Sequence, residues 1–593
     1  MTGVVEVFFA AVPLLVVGVL LVGFLWPATR AMPIAWIAAL LVGFFVWNVP
    51  PAWLAAATIG GVITAVQILF IVFSALVLLY TMLRAGAFDV INRSLATISE
   101  DRRVQIVLLA FFFATFLEGA AGFGTPAAVV APLLLALGFP ALAAVVAALI
   151  GHVIAVTYGA VGTPIIIGIR EPMTDVSGIR ETIETEGMTT AEFAVNVAAW
   201  AATYHVLVGV IMPFFAVAMV VYFFGPREQR SLRPAIEVWP LCLFAGVAFA
   251  VPYWLSAWYL SAEVPSLIGS MVGATITIAL LRRGYLHPAN TWEFPPQEEW
   301  PEHWVGSIQP ADLPGIVSNE RPMSFLRAWS PYLLLVVFLV FTRGVEPVSA
   351  FLQGERVTVL GREFSLAVVT IDTGIGEFTL GLFGLTWEHI LGTGLGYGFE
   401  IAFAPGTWLL ASAIVAIPLF GMSTEAVTDA WKAAAGNLVV PLIALVFVLA
   451  MAQVMLQSGA HAPDVDSMIV VLATATASVF GPTYPFFAAT IGALGAALVG
   501  SNTVSNITFG PFQFVAAQNL GLSRELTVGA QAVGGAIGNL VAIHNVVAAL
   551  ATVGLTGLEG RVIRLNLIPL VYYAVFVGLW TMLFVYVLFP DVF

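Results

Sequence analysis

Charged side chains are scarce in this sequence. Asp, Glu, Lys and Arg together make up 9% of its 593 residues, whereas soluble domains carry about 25%. Apolar residues make up 60% and the mean hydropathy is +1.01, and many apolar runs approach or exceed the roughly 20 residues that cross a bilayer. The composition excludes an ordinary soluble domain. It predicts a multi-pass protein of the cell membrane that is surrounded by the lipid bilayer and has no nucleic-acid partner.

Lysine and cysteine are almost absent. Lys432 is the one lysine among 21 basic residues, and Cys242 is the one cysteine, so no disulfide can form within the chain. The net charge is −13. An acidic, lysine-poor surface is typical of organisms that grow in high salt, and GC-rich codon usage explains the same composition equally well.

Motifs of enzymes and of nucleotide-driven pumps are missing as well. The sequence has no H-E-x-x-H and no G-x-S-x-G pattern, and no pair of carboxylates stands at a defined catalytic spacing. The glycine run at 392–398 resembles a phosphate-binding loop only superficially, because no βαβ pattern surrounds it. We therefore expect no catalytic residue, no metal site and no bound cofactor.

The apolar runs predict an all-α protein with about twelve transmembrane helices. These lie at about residues 8–26, 33–49, 61–83, 141–168, 193–222, 238–253, 264–281, 328–345, 407–421, 437–457, 525–552 and 568–589. The first run lacks a basic n-region and a convincing cleavage site, so we interpret it as a retained helix and not as a signal peptide.

The basic residues predict the orientation of these helices. One side of the scheme collects Arg30, Arg84, Arg93, Arg102, Arg103, Arg227, Arg230, Arg233, Arg282, Arg283, Arg321, Arg327, Lys432, Arg561 and Arg564. The positive-inside rule makes that side the cytoplasm, and both termini then lie outside. Four arginines, at positions 343, 356, 362 and 524, fall on the opposite side of the scheme.

Two further apolar stretches, 104–138 and 484–522, are interrupted by glycine, proline and polar residues. The first contains Phe116-Leu117-Glu118-Gly119-Ala120-Ala121-Gly122-Phe123-Gly124-Thr125-Pro126, and the second contains Thr508-Phe509-Gly510-Pro511. An ionisable group or an open backbone at membrane depth is tolerated only inside protein or beside a water-lined cavity. Each stretch therefore predicts a re-entrant helical hairpin that enters and leaves the membrane on the same side.

The two broken stretches also predict an inverted repeat, since the orientation scheme inserts them from opposite sides. Paired, glycine- and proline-interrupted segments in two halves indicate the binding site of a transporter, whereas the alternative interpretation is two ordinary helix kinks. The predicted organisation is N-terminal helices at 1–60, a first repeat at 61–222, scaffold helices at 223–345 with a cytoplasmic loop at 284–326, an extracellular loop region at 346–406 and a second repeat at 407–593.

These motifs resemble the L-lactate permease family of carboxylate transporters. The block at 116–126 is similar to the first signature of the family nearly residue for residue, and Gly159-Ala160-Val161-Gly162-Thr163-Pro164-Ile165 is similar to its continuation. In the second half, Gly500-Ser501-Asn502-Thr503-Val504-Ser505-Asn506-Ile507-Thr508-Phe509-Gly510 resembles the second signature. The resemblance implies a secondary transporter that moves lactate, glycolate or related small 2-hydroxy acids together with protons or sodium.

The sequence departs from the family pattern at several polar positions. The family usually has Asp where Asn502 stands, and a Gly-Lys pair where this chain has Gly538-Asn539. It usually has Ser-Pro-Gln where this chain has Ile543-His544-Asn545, and His152 replaces an asparagine. The lost lysine implies a lost anion contact. These differences do not affect the prediction of a transporter, but they leave the identity of the substrate and of the coupling ion undetermined.

The predicted site combines backbone and side-chain donors at the two hairpins. Substrate-binding candidates are Gly119, Gly122, Gly124, Thr125, Ser501, Asn502, Thr503, Ser505, Asn506 and His544; ion-coupling candidates are Glu118 and His152. Glycine lets the backbone approach a ligand closely, at Gly510 also, and helix N-termini favour anions. The alternative for the hydroxyls and amides is that they satisfy the broken backbone of the hairpin itself, and for each histidine that it is a packing residue.

The leading functional hypothesis is an ion-coupled symporter for L-lactate or glycolate, with the co-transported proton or sodium ion in place of a cofactor. The alternatives are transport of another organic or inorganic anion, a passive anion channel, and an integral-membrane enzyme. A homodimer that forms through the scaffold helices is a further expectation from the resemblance.

Overall fold

The structure is a computed structural model that describes residues 2–593 except 25, 227–229, 309–322, 354–356, 360–361, 365–367 and 382–383. Three of the arginines used in the orientation argument, at positions 227, 321 and 356, lie outside the described residues, as does the centre of the predicted loop 284–326.

The first half of the chain is almost entirely helical. Its helices are α1 (Thr2–Gly18), α2 (Ala28–Phe45), α3 (Pro51–Arg84), α4 (Ala87–Ala96), α5 (Arg102–Gln105), α6 (Ala114–Ala120), α7 (Thr125–Ala136), α8 (Ala141–Gly151), α9 (Gly159–Ile165), α10 (Glu171–Asp175), α11 (Ser177–Thr185), α12 (Thr190–Gly209) and α13 (Met212–Phe224). Four irregular helical segments join them: π-helices at Val19–Gly23, Ile106–Phe113 and Ile166–Arg170 and a 3₁₀ segment at Val153–Tyr158.

The second half continues in the same way. It contains α14 (Arg233–Glu237), α15 (Trp239–Tyr259), α16 (Pro265–Arg282), α17 (Phe325–Gly344), α18 (Glu346–Leu352), α19 (Pro405–Phe420), α20 (Thr424–Gly436), α21 (Val439–Leu456), α22 (Met468–Phe480), α23 (Tyr484–Val499), α24 (Asn502–Leu520), α25 (Arg524–Gly538), α26 (Ile543–Ala551) and α27 (Glu559–Leu583). Short 3₁₀ turns lie at Gln297–Glu299, Glu302–Trp304, Ile390–Gly392 and Gly481–Thr483, and a π-helix lies at Phe584–Leu588.

Twelve helical segments of the described residues are long and apolar enough to cross a bilayer, which confirms the predicted class of an all-α polytopic membrane protein. A thirteenth crossing is formed if α12 and α13, which are bent by 41° at their junction, act as one span. The first arm of the predicted first hairpin, Arg102–Ala120, is wholly buried among other helices, so it lies inside the bundle and not against lipid.

The region 346–406, predicted as an extracellular loop region, carries the strands of the described residues. They are β1 (Val357–Val359), β2 (Arg362–Phe364), β3 (Val368–Asp372), β4 (Glu377–Gly381), β5 (Leu385–Glu388) and β6 (Tyr397–Phe399). The last four form an antiparallel sheet in sequence order. The sheet is fastened to α3, because Gln67 donates a hydrogen bond to the carbonyl of Gly398 and the ring of Tyr397 packs against Gly60.

The first broken stretch reverses direction between Arg102 and Phe139. The guanidinium of Arg102 lies 5.9 Å from the centroid of the Phe139 ring, so the two ends of the stretch are neighbours. The reversal occurs at residues 121–124, where Gly122, Phe123 and Gly124 all have positive φ values. A chain that returns in this way has the shape expected of the predicted hairpin, and its re-entrance into the membrane stays a prediction.

The second broken stretch also folds back on itself. Tyr484 donates to Gln513 at 2.5 Å, and Ser505 donates to the carbonyl of Gly492 at 2.9 Å, so α23 and α24 run antiparallel. The break lies at Gly500 and Ser501, between these two helices. The interruption predicted at 508–511 is wrong, because Gly510 and the following proline lie inside the continuous helix α24.

The segments that follow the two hairpins, predicted as single crossings at 141–168 and 525–552, are both discontinuous. The first changes from α8 to a 3₁₀ segment and then passes through left-handed φ values at Ala160, Val161 and Gly162. The second is interrupted at residues 539–542, between α25 and α26. The two hairpins and the two segments that follow them therefore contain one break each, four in all. The inverted relation between the two halves stays a prediction.

Candidate functional site

The four chain breaks meet in one buried cavity, called here the central cavity. Its lining is Glu118, Gly122, Phe123, Gly124, His152, Val156, Gly159, Ala160, Pro164, Gly500, Ser501, Asn502, Thr503, Asn539 and Asn545. Each of the four breaks contributes residues, so both halves of the chain build the same site.

Two helices begin at this cavity. Helix α7 starts directly after Gly124, and helix α24 starts directly after Ser501, whose hydroxyl accepts from the amide of Val504 at 3.4 Å. The first amides of a helix have no partner within that helix, and the helix dipole places partial positive charge at its N-terminus. At α7 the amide of Thr125 already donates to the carbonyl of Gly122, and Pro126 has no N–H. The start of α24 therefore supplies the amides, and both helix dipoles favour an anionic group in the cavity.

The backbone of the first broken segment is strained where it lines the cavity. Ala160 and Val161 have φ values of 43° and 55°, a region that β-branched residues rarely occupy. A Cβ added to Gly122 would lie 2.9 Å from the amide nitrogen of Ala160, so the hairpin break and the broken segment touch directly. Conformations of this kind persist where the surrounding structure enforces them, and they cluster at functional sites.

Glu118 places a carboxylate at the wall of the cavity. Its side chain is 6% exposed, and its Oε2 lies 3.9 Å from Nε2 of His152. The other ring nitrogen of His152 is 2.6 Å from the carbonyl of Ala148. A Cβ added to Gly159 would lie 2.3 Å from Oε1 of Glu118, so the absence of a side chain at Gly159 makes room for the carboxylate.

Asparagines of α24 hold the broken segment in place. Asn506 donates to the carbonyl of Pro164 at 3.0 Å, and Asn502 donates to the carbonyl of Val156 at 3.5 Å. These bonds satisfy carbonyls that the irregular backbone leaves without helical partners. The Oδ1 atom of Asn502 is buried without a hydrogen-bond partner in the described part of the chain, and it lies against Gly535.

Two further asparagines come from the second broken segment. Asn545 donates to Oδ1 of Asn539 at 2.8 Å, and Asn539 donates to the carbonyl of Gly535 at 3.2 Å. A Cβ added to Gly124 would lie 2.7 Å from Oδ1 of Asn545, so the tip of the first hairpin packs against this pair. The central cavity thus presents neutral amides, two helix N-termini and one carboxylate.

Comparison with known proteins identifies the family. A model of the L-lactate permease family matches residues 6–588. The chain belongs to the L-lactate permease family. The L-lactate permease of Bacillus subtilis (strain 168) is 29% identical over 537 residues, which cover 89% of this chain and 87% of that protein. The glycolate permease GlcA of Escherichia coli (strain K12) is 28% identical over 554 residues, which cover 93% and 90%.

A weaker likeness is to the crystal structure of the Alcanivorax borkumensis YdaH transporter, with a TM-score of 0.40 and 14% identity over 87% of this chain and 84% of that one. Membership of the L-lactate permease family makes this chain a permease, and not an enzyme. Together with the apolar helices it indicates a multi-pass protein of the plasma membrane.

Seven of the predicted site residues of this permease line the central cavity, namely Glu118, Gly122, Gly124, His152, Ser501, Asn502 and Thr503. The other five lie outside its lining. Gly119 packs against Ser266, Thr125 forms the first turn of α7, Ser505 bonds within the second hairpin, Asn506 bonds to Pro164, and His544 is exposed and packs against Gly500.

The prediction omitted several lining residues, among them Val156, Gly159, Ala160, Asn539 and Asn545. The signal that points to them is present in the sequence, because a long apolar segment with embedded glycines and polar residues follows each hairpin. Gly510, predicted to approach a ligand, instead packs against Ile169 and Met173.

The central cavity of the permease measures about 30 Å³. A cavity needs about 10–15 Å³ by this measure to hold one water molecule, so the space accommodates about two atoms of that size. L-lactate has six non-hydrogen atoms. In this conformation the breaks are therefore closed on one another, and a ligand of that size requires them to separate.

Proposed function

We propose that this permease is a secondary active symporter that imports L-lactate or a related small 2-hydroxy carboxylate such as glycolate, coupled to protons or sodium. The observation that carries the proposal is the meeting of two helix N-termini and the Glu118 carboxylate in the central cavity. The names of the relatives, L-lactate permease and glycolate permease, supply the substrate class.

Recognition of the substrate follows from the groups around the cavity. The carboxylate of the ligand binds at the N-terminus of α24, where the amides of Asn502 and Thr503 replace part of its hydration shell. The dipole of α7 adds partial positive charge from the opposite side of the cavity. The 2-hydroxyl group donates to Oδ1 of Asn502, the buried amide oxygen that has no other hydrogen-bond partner in the described part of the chain. The low charge of the lining favours a small monoanion over a dianion, because each buried charge needs its own partners.

Ion coupling is assigned to Glu118 and His152. Both side chains are buried in the same wall of the cavity and are 3.9 Å apart, so a proton bound there neutralises the carboxylate that faces the incoming anion. If sodium is the coupling ion, the carbonyls of the irregular segment 153–165 become the preferred ligands, because hard cations bind oxygen.

Uptake into liposomes by the purified protein tests the proposal. Labelled L-lactate and glycolate are offered with an inward proton gradient, an inward sodium gradient or neither. We expect at least one gradient to drive accumulation that an ionophore abolishes. Equal uptake with no gradient and after collapse by the ionophore would contradict coupling, and uptake without saturation or exchange would indicate a channel.

Glu118→Gln separates binding from coupling. We expect the variant to keep exchange of labelled for unlabelled substrate and to lose gradient-driven accumulation by about 10- to 100-fold, the range of a lost charged hydrogen bond. Glu181→Gln, at an exposed position of α11, is the matched control and keeps both activities. If Glu118→Gln accumulates substrate as well as the unaltered protein does, Glu118 has no role in ion coupling.

A homodimer through the scaffold helices is part of the same proposal. Helices α15 and α16 carry exposed apolar side chains such as Val251, Leu255 and Ile276, which a second copy or lipid covers equally well. The native mass of the protein in detergent decides between the two, with a mass near twice 63.0 kDa expected for the dimer after subtraction of the detergent.

A further inference from the structure

We propose that a second cavity, built around Arg170, is a docking site for a small monocarboxylate, in which the carboxylate of the ligand displaces Glu400 from the Arg170 guanidinium. This inference rests on the proposed function, because the docked anion is the one that later occupies the central cavity. The site is named here the Arg170 cavity.

The Arg170 cavity is large enough for such a ligand. Its volume is about 310 Å³, which is within the range of about 300–1,000 Å³ typical of ligand pockets. Its walls come mainly from α3, the segment Ile166–Asp175 and the region 396–405, which includes β6, and Glu263 and Thr386 complete the lining. Polar lining residues include Thr64, Gln67 and Thr174.

The Arg170 cavity and the central cavity lie along one chain segment. Ala160 and Pro164 line the central cavity, and Ile166, Ile167 and Arg170 line the other. Six residues separate Pro164 from Arg170, which corresponds to about 9 Å of helix. A ligand at Arg170 is therefore about two turns from the central cavity.

The chain segment between the two cavities packs directly on α24. Gly168 packs against the backbone of Thr503 and the side chain of Asn506, and the same Asn506 bonds to Pro164. No bulky side chain stands at Gly168, so a shift of the broken segment against α24 opens one cavity towards the other.

Arg170 is the one basic residue among the described residues of the lining, which also carries the carboxylates of Glu171, Asp175, Glu263 and Glu400, so an anion that binds there must bind to Arg170. Nη2 of Arg170 lies 3.3 Å from Glu171 and 3.5 Å from Glu400, whereas charge-assisted hydrogen bonds are about 2.7–2.9 Å long. The fork of a guanidinium matches a carboxylate in two parallel bonds. A ligand that forms both bonds therefore competes well with these two longer contacts.

The other two carboxylates of the lining have partners outside it, of which the partner of Glu263 is a cation and the partner of Asp175 is a neutral amide. Glu263 bonds to Nε of Arg343 at 2.5 Å, and Asp175 accepts from Gln453 at 3.0 Å. Glu400 follows β6, which Gln67 and Gly60 hold against α3. Of the two carboxylates near Arg170, Glu400 is 45% exposed and Glu171 is 29% exposed, so Glu400 is the easier one to displace.

The test compares the KM of labelled L-lactate exchange for two single variants. Arg170→Gln removes the anion partner and is expected to raise KM about tenfold, equivalent to one lost charged pair. Glu400→Gln removes the competitor and is expected to lower KM about two- to fivefold, the range of an exposed ion pair. Opposite signs from two neighbouring residues are a result that a general loss of structure does not produce.

The double variant Arg170→Gln/Glu400→Gln isolates the pair. Without Arg170 the removal of Glu400 is expected to bring no gain, so the two effects are not additive. Arg30→Gln and Glu377→Gln, which change exposed charges outside the lining, control for the overall field. An unchanged or raised KM in Glu400→Gln overturns the docking site, and so does a full gain in the double variant.

The failure of this inference and the failure of the proposed function are distinguishable. If the unaltered protein does not exchange L-lactate or glycolate, the proposed function fails first. If it exchanges them and Glu400→Gln leaves KM unchanged, the central site stands and the Arg170 cavity is not a docking site. Should Arg170→Gln fail to fold, the sign of the KM change in Glu400→Gln decides the question, since a fall supports the docking site and an unchanged or raised KM overturns it.

Discussion

Glycine residues give the central cavity its shape at the scale of single atoms. Gly159 accommodates the carboxylate of Glu118, Gly124 accommodates Asn545, and Gly500 accommodates the ring of His544. A methyl group at any of these places overlaps a polar side chain that the site uses or supports. These positions therefore affect function through their neighbours, since a glycine offers no side-chain chemistry of its own.

Gly159→Ala is expected to impair transport while the protein still folds. The new Cβ lies 2.3 Å from Oε1 of Glu118, which is the mobile end of a side chain and can move away. A displacement of about 1 Å in a functional group costs about 100-fold in rate, so gradient-driven uptake should fall by that order.

The control for this variant is Gly178→Ala in α11, where an added Cβ meets nothing within 4 Å. It should leave uptake unchanged. The variants are compared by uptake per folded protein, with folding judged by thermal unfolding in detergent. Normal uptake by Gly159→Ala would show that the position of the Glu118 carboxylate does not matter.

At the scale of helices and hairpins, the base of the first hairpin is anchored by a buried charge network. Arg103 is bonded to Asp101 at 2.7 Å, to the carbonyl of Pro234 at 2.7 Å and to that of Asn290 at 2.5 Å. Both charged partners are almost wholly buried, with 1% and 3% exposed side chains. The network joins the hairpin to α14 and to the segment after α16, so the base of the hairpin is fixed to two other parts of the bundle.

Arg103→Gln is expected to destabilise the protein strongly. Loss of one partner leaves the buried charge of Asp101 without compensation, a cost of about 3–5 kcal/mol. Arg102→Gln is the matched comparison, because its pair with Glu293 is partly exposed at 21% and 52% and such pairs contribute about 0–1 kcal/mol.

The measurement is thermal unfolding of both variants in the same detergent. The unfolding temperature should fall markedly for Arg103→Gln and little for Arg102→Gln. Equal small shifts in both variants would contradict the anchoring role of the network.

The sequence predicts the hairpins better than their breaks. Gly122 and Gly124 lie between the Glu118 carboxylate and Pro126, and the reversal lies there. In the second hairpin the Gly510-Pro511 pair suggests a break, yet α24 runs through it, because a proline is tolerated in a helix whose neighbours satisfy the freed carbonyl. The actual break at Gly500 and Ser501 carries a helix-capping serine, which is the signal that should have been weighted more.

At the scale of the whole molecule, apolar run length predicts the class of fold, since a bilayer demands about 20 residues per helix. It does not predict that the crossings at 141–168 and 525–552 are discontinuous. Their apolar side chains continue through the breaks, and the opened backbone is satisfied by local turns and by tertiary contacts such as Asn506 to Pro164 and Asn566 to Leu540. The sheet of β3–β6 is missed for a related reason, because its strands are short and mostly exposed.

Both halves of the chain supply one wall each to the central cavity, so a bound acid must touch both. Cysteine modification tests this most directly, in a background where the buried Cys242 is replaced by alanine. Val156→Cys reports on the first half and Ser501→Cys on the second, while Ser478→Cys in α22 is an exposed control. The rate of reaction with a small thiol reagent is measured with and without L-lactate, in variants that still exchange it.

We predict that L-lactate slows the modification of both Val156→Cys and Ser501→Cys severalfold and leaves Ser478→Cys unchanged. If L-lactate protects neither cysteine, or only one of them, in protein that exchanges it normally, the acid does not bind where the four breaks meet.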